Sequence, residues 1–342
     1  MENVAPSRRQ TDDTQFLEGF LPSTPFEIVT ANRSPHTCTM IQRRDFLHGL
    51  SALGVASLAT APTVLHAAPK RRNKVCFFSK HLQGLSFDEI AGFAAEMGVD
   101  GIEAPIRPKG HIEPENVEAE LPKFCDALKK QGVEMTILTS GINEVSEEQR
   151  TESVLRTAKA CGVERFRMSY FKYDLEQPIW PQLEEFGAKI KDLVQLCSEI
   201  GIQPLFQNHA GSNYAAAPVW DIYSIMRNYA PKEFAFAFDI RHATVEGGSS
   251  WPLEAALAYD HFGAVYFKDF TWEDSKAINA PLGEGMVSPK FAQMLVKRGY
   301  EGPVSLHVEY LKGDPTDPAV LKEFREAQTR DMAVLSEWMN WA

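Results

Sequence analysis

Carboxylates, imidazoles and amines recur at the ends of short apolar runs from about residue 75 onward in this 342-residue chain. Lys80 and His81 follow one run, and Glu103, Arg107 and His111 follow the next. Gln207, Asn208 and His209 end a later run, Asp239, Arg241 and His242 another, then Lys268 and Asp269, then His307 and Glu309. Oxygen and nitrogen donors of this kind can cage a hard or borderline divalent cation. They can also move protons beside a carbonyl, with a fixed lysine where negative charge develops. One such residue alone reads as a helix cap, an ion pair or a hydrogen-bonded core histidine. Their joint occurrence at consecutive run ends points to a site.

Alternation decides which side chains share a face. In Phe234–Ala243 the bulky Phe234, Phe236 and Phe238 alternate with Ala235, Ala237 and Asp239. Successive side chains of a strand point to opposite sides, so one face packs on helices and the other ends in a carboxylate. The same parity puts His307 with Glu309, Gln207 with His209, and Tyr266 with Lys268. Gln207, His209, Asp239 and Glu309 thus form a candidate metal cage. Glu309, Lys268 and His209 are the candidate proton carriers. Glu103, Arg107, His111, Asn208, Arg241, His242, Asp269 and His307 are candidate substrate contacts.

The elements that must position these groups alternate. Strands are expected at 75–79, 101–106, 135–140, 166–170, 204–209, 234–242, 264–269 and 304–310, with helical patterns between them. Leu183, Phe186, Ile190, Leu193, Cys197 and Ile200 recur at three- and four-residue spacing, and Gly201 stops that helix. Gly98, Gly132, Gly162 and Gly299 each precede an apolar residue at the same kind of junction. Eight strands alternating with helices predict an α/β fold, a (β/α)8 TIM barrel whose active site sits at the C-terminal strand ends. A doubly wound open sheet is the competing architecture, but no glycine-rich phosphate loop follows the first strand. The loop from Phe270 to Val287 is long and carries Trp272, with Trp251 earlier in the chain. It is expected either as a lid stacking on a sugar ring or as a surface loop with buried tryptophans.

The N-terminal part reads differently. Residues 1–39 are polar and aperiodic, so disorder is expected there. Met40–Leu47 places Arg43 and Arg44 before a weakly apolar run, Gly49–Leu65, ending near His66-Ala67-Ala68. That is the pattern of a twin-arginine export signal over residues 40–68, leaving 69–342 as the mature barrel. Gly49, Ser51, Gly54, Ser57, Thr60 and Pro62 interrupt the run, which argues against a membrane anchor. A signal of this kind belongs at an N-terminus, so translation is expected to start at Met40, with the preceding segment a misassigned extension. Export implies a periplasmic location.

A hydrophobic content of 44% is enough for a substantial core, and a formal net charge of −11 argues against nucleic acid or anionic membrane as the main partner. None of the five cysteines forms a CxxC pair, and buried thiols rather than a zinc site or disulfide framework are expected.

Residues 74–310 resemble the xylose isomerase-like barrel superfamily, the sugar phosphate isomerase/epimerase group. The resemblance rests on Leu205–Gly211, Phe238–Ala243, Val265–Asp269, Pro281–Val287 and Gly299–Glu309. It implies a divalent metal (Mn, Mg, Co or Zn) on acidic and histidine ligands, with paired glutamates moving protons beside a carbonyl. By the same resemblance Asp239 and Glu309 are metal ligands, and His242 contacts the substrate. Two positions depart: Gln207 stands where many members have a glutamate, and Tyr266 where many have a ligand histidine. A glutamine can coordinate through its carbonyl oxygen but cannot take a proton near neutral pH. His209 is the imidazole expected to compensate.

The resulting expectation is an exported, metal-dependent isomerase or epimerase acting on a free or oxidised small-molecule carbohydrate. The alternatives are a lyase or hydrolase of keto-glycosides and a carbohydrate-binding barrel without catalysis.

Overall fold

A computed structural model describes residues 73–341. The expected N-terminal extension (1–39) and export signal (40–68) lie outside the described residues.

Eight parallel strands close into a barrel, as the alternation predicts. They are β1 (Val75–Phe78), β2 (Gly101–Ile106), β3 (Glu134–Ser140), β4 (Arg165–Arg167), β5 (Gln203–Gln207), β6 (Ala235–Asp239), β7 (Phe262–Phe267) and β10 (Val304–Leu306). β1 pairs with both β2 and β10, which seals the ring. Helices α1 (Phe87–Glu96), α2 (Val117–Lys130), α3 (Thr151–Ala160), α4 (Ile179–Ile200), α5 (Trp220–Met226), α6 (Ile240–Gly247), α7 (Trp251–Ala258), α8 (Lys290–Arg298) and α9 (Pro318–Trp338) complete the unit.

Strand parity holds. Phe234, Phe236 and Phe238 pack in the large cluster with the helices, while Ala235 and Ala237 join Cys76, Ile137, Leu205, Ala264 and Tyr266 in a separate buried cluster, the barrel interior. Small side chains on β6 leave room for the Tyr266 ring there. Helix α4 buries Leu183, Phe186, Ile190, Leu193 and Cys197, and Gly201 ends it at φ 80°, the left-handed conformation that glycine adopts without a steric penalty.

Several strands stop earlier than their apolar runs. β10 ends at Leu306 rather than Tyr310, and β6 ends at Asp239, which is already the N-cap of α6. The cause is local: once Asp239 accepts the His242 amide at 3.1 Å, the next residue starts a helix. The loop after β7 is not irregular. Asp269–Glu273 (β8) and Lys276–Ala280 (β9) form an antiparallel hairpin.

Cys76, Cys125, Cys161 and Cys197 carry free thiols, with Cys76 and Cys197 buried and the other two half-buried. Among the described residues, no helix is long and apolar enough to cross a membrane.

Candidate active site

The C-terminal strand ends open into a cleft of about 370 Å³. That volume is at the small end of the range for small-molecule sites. Lys80, Arg107, Arg167, Arg241 and Lys268 supply cations to its wall, and Glu309 a carboxylate. His209, His242 and His307, with Gln207, Asn279, Tyr170 and Phe78, make up the rest. A larger surface depression, about 520 Å³ around residues 145–153, holds none of the strand-end residues.

At the centre stands Lys268, one residue past β7. Its Nζ lies 3.0 Å from Glu309 Oε2 and 3.1 Å from Asp239 Oδ2. Burial opposes its charge, but the two carboxylates outweigh this and hold the ammonium above its usual range. Burial likewise opposes the Glu309 charge, but Lys268 and then His307 hold its carboxyl well below the ordinary range.

Both side-chain oxygens of Asp239 are engaged. Oδ1 caps α6 through the His242 amide, and Oδ2 accepts the Gln207 side-chain amide at 2.8 Å beside Lys268. The Gln207 carbonyl oxygen is also taken, by the Arg167 guanidinium and by the Tyr170 hydroxyl at 2.9 Å. Its orientation is therefore fixed, with oxygen toward the cation and nitrogen toward the carboxylate.

A second network lies behind this one. Glu103 is fully buried, at a register shift in the β2–β3 ladder. Its oxygens accept Thr139 Oγ1 at 2.6 Å, Ser305 Oγ at 2.9 Å and His307 Nε2 at 2.9 Å, and Arg167 Nε approaches to 3.6 Å. Burial alone would raise its pKa. The charge and hydrogen bond of His307, then Arg167 and Thr139, bring it down to about 2. An ionised Glu103 can only accept, so Nε2 of His307 carries a proton. Nδ1 is left open, with no hydrogen-bond partner, 4.0 Å from Glu309 Oε2. A carboxylate that orients a histidine through one ring nitrogen leaves the other to exchange a proton.

His209 and His242 pack against each other with ring centroids 4.0 Å apart and planes tilted by 34°. Burial first, and then Lys268, lower the His209 pKa to about 4 and push His242 well below the usual histidine value. Both are neutral near pH 7.

These contacts do not suit a divalent cation. Among the described residues no group of three or more His, Cys, Asp or Glu side chains could hold a metal. An ammonium lies between the two carboxylates of the expected cage, and Gln207 turns its amide nitrogen to Asp239. His209 bonds its Nδ1 to the Ala210 carbonyl at 2.9 Å. Tyr266, at the expected histidine position, is fully buried in the barrel interior. Of the expected ligands Gln207, His209, Asp239 and Glu309, each already has a protein partner in this structure.

The structure brings Glu309, Lys268, His209, Arg107, Arg241, His242 and His307 to the cleft wall. It places four other expected contacts elsewhere: the buried Glu103 behind the cleft, and His111, Asn208 and Asp269. His111 bonds the Ser79 hydroxyl at 2.9 Å and the Ser79 carbonyl at 3.1 Å, and packs on Phe124. Asn208 pairs both ways with the Asp239 backbone, at 2.7 and 3.0 Å, and so extends the β5–β6 ladder. Asp269 accepts the amides of Phe270, Gly283, Gly285 and Val287 at 2.8 to 3.1 Å, tying down the hairpin and its return. Gly285 passes so close that a Cβ there would lie 2.3 Å from the Asp269 carboxylate. His81 is likewise structural, packed against Phe77, Phe93 and Phe324.

The tryptophan lid is not found. Trp251 packs on Phe291 and Trp272 against Phe270, and neither lines the cleft. The aromatic wall is Phe78 and Tyr170 instead. Strand-end reasoning passed over Arg167, Tyr170 and Asn279. The alternation of Arg165-Phe166-Arg167 carried the signal for the first, but nothing in the sequence marked Asn279.

Residues 91–330 match the family model described as xylose isomerase-like TIM barrel. No curated protein matches the chain significantly. Solved structures share the fold at low identity. A xylose isomerase domain protein from Planctomyces limnophilus is 14% identical, with TM-score 0.59 over 79% of this chain and 98% of that one. D-psicose 3-epimerase from Clostridium cellulolyticum H10, in complex with D-tagatose, is 12% identical, with TM-score 0.58 over 78% of this chain and 98% of that one. The 3-keto-D-glucoside 4-epimerase YcjR from E. coli is 15% identical, with TM-score 0.57 over 78% of this chain and 99% of that one. With the family model spanning most of the sequence and the barrel closed in the family's manner, the chain belongs to the xylose isomerase-like TIM barrel family.

Proposed function

We propose that the cleft moves protons at a carbon beside a carbonyl of a small carbohydrate, an isomerase- or epimerase-type reaction. The observation that carries this reading is the Asp239–Lys268–Glu309 bridge facing the cleft next to the Glu103–His307 pair. Lys268 would hold positive charge where the enolate oxygen develops, a fixed charge being worth most in a water-poor site. Glu309 and the open Nδ1 of His307 would be the two proton carriers. Neutral His209 and His242 would accept or donate hydrogen bonds to hydroxyls. Family membership and the sugar epimerases among the structural neighbours support this reading.

In this reading the positive charge is the protein's own, because the donors expected for a metal are already paired. A second reading, elimination or hydrolysis of a keto-glycoside, shares the first proton abstraction. It is favoured by Glu309 being the one carboxylate among the described lining residues.

The test is solvent deuterium wash-in at sugar carbons, followed by NMR over a panel of aldoses, ketoses and keto-glycosides. Exchange should appear at a carbon beside a carbonyl and fall at least about a hundredfold in Glu309→Gln. Binding without exchange anywhere in the panel would leave only a carbohydrate-binding barrel.

We also propose twin-arginine export to the periplasm, on the strength of Arg43 and Arg44 ahead of the 49–65 run. Replacing both arginines by lysine should strand the precursor in the cytoplasm. Unchanged export in that variant would refute the route.

A further inference from the structure

The cleft is cationic on a chain that is acidic overall. The formal net charge is −11, yet five cations line the wall, facing Glu309 with Asp239 and Glu103 behind it. Lys268 and Arg167 are engaged with those carboxylates. Lys80, Arg107 and Arg241 meet no carboxylate within ion-pair distance among the described residues.

Arg241 is the telling member. It is only 7% exposed, and its Nε has no hydrogen-bond partner. One terminal nitrogen donates to the Ala277 carbonyl at 3.2 Å, another sits 3.3 Å from His242 Nδ1, and the guanidinium lies over the Phe270 ring. The contacts therefore fix its plane and neutralise nothing. The fields of Asp239, Glu309 and Asp269 reach it, but burial dominates and lowers its pKa. A buried cation without a counter-ion is costly unless a ligand supplies the negative charge. Half-buried Arg107 and exposed Lys80 add attraction along the same wall.

We propose that the substrate carries an anionic group, a carboxylate or a phosphate, which Arg241 pairs with inside the cleft. This inference rests on the carbohydrate reading above and narrows it to a sugar acid or a sugar phosphate. Guanidinium suits either, since its donors match two oxygens of one group.

The test is calorimetric binding of matched probes to the intact protein: glucose, gluconate, glucuronate and glucose 6-phosphate. At low salt at least one anion should bind about tenfold or more tightly than glucose, and the preference should shrink several-fold at about 0.3 M salt. Arg241→Gln should reduce the preference to within about threefold, and Arg241→Lys should keep part of it. Carboxylates ahead of phosphate assign a sugar acid, and the reverse order a sugar phosphate. Glucose binding as tightly as every anion, no binding of any anion, or a preference intact in Arg241→Gln would overturn the inference. Should Arg241→Gln not fold, the probe ratio and salt dependence of the unaltered protein decide alone. Deuterium exchange in neutral sugars without anion preference would sink this inference and spare the proton-transfer reading. Anion binding with no exchange in the bound sugar would do the opposite.

Discussion

The carboxamide of Gln207 joins two oppositely charged groups, accepting from Arg167 and donating to Asp239. A glutamate there would keep the first contact and set a carboxylate against Asp239 at hydrogen-bond distance. Gln207→Glu should therefore destabilise the fold by about 1–3 kcal/mol near pH 7. Repulsion raises the carboxylate proton affinity in the folded state, so the penalty should vanish below about pH 4 and grow as pH rises. Urea unfolding from pH 4 to 8 checks both sign and size, and an equally stable variant would contradict the contact. Glu103 gives the opposite slope. Its folded pKa of about 2 lies below the ordinary glutamate value, so its stabilisation is present above about pH 4.5 and lost as pH falls toward 2. The amount is on the order of 3 kcal/mol, and Glu103→Gln should flatten that acid limb. Asp239, Lys268 and Glu309 were legible from parity and position at strand ends. The pairing of Asp239 was not, because it depends on the rotamers of Asp239, Gln207 and Lys268.

At the scale of elements, period-two alternation identified the barrel strands and the faces of β6, since inner and outer faces differ in size. It overran some strand ends, as at β6, where Asp239 caps α6 and the next residue starts a helix. The β8–β9 hairpin escaped because Thr271, Trp272 and Ile278 alternate weakly and Trp272 and Ile278 are exposed. Asp269 ties its base to the return segment by accepting four backbone amides. Asp269→Ala should leave those donors unpaired at about 1–3 kcal/mol for each that water cannot reach. Hydrogen exchange at Phe270, Gly283, Gly285 and Val287 should speed by about tenfold or more, with the barrel strands unaffected. Because Ala277 of the hairpin orients Arg241, the same variant should weaken anion binding. Unchanged exchange at those amides would show that the carboxylate is not the anchor.

Across the whole molecule, a barrel read correctly as a fold carries a centre that differs from the expected one. The family resemblance led to metal ligands, and the strand-end positions are where it placed them. At those positions stand the amide of Gln207, the phenol of Tyr266 and the imidazole of His209, and the carboxylates of Asp239 and Glu309 flank the Lys268 ammonium. In the proposed reading Lys268 would supply by permanent charge what a bound cation would, with Arg167 and Arg241 along the same cleft. The account thus makes the ammonium of Lys268, rather than a divalent ion, the electrostatic partner of the reaction. The most direct measurement is deuterium wash-in at the reactive sugar carbon by protein stripped with chelator, compared with protein loaded with Mn, Co or Zn and with Lys268→Met. The account predicts exchange within about twofold for stripped and loaded protein, and a loss of at least about a hundredfold in Lys268→Met whether or not metal is added. Exchange that disappears on chelation and returns with metal, or that survives in Lys268→Met, would contradict it.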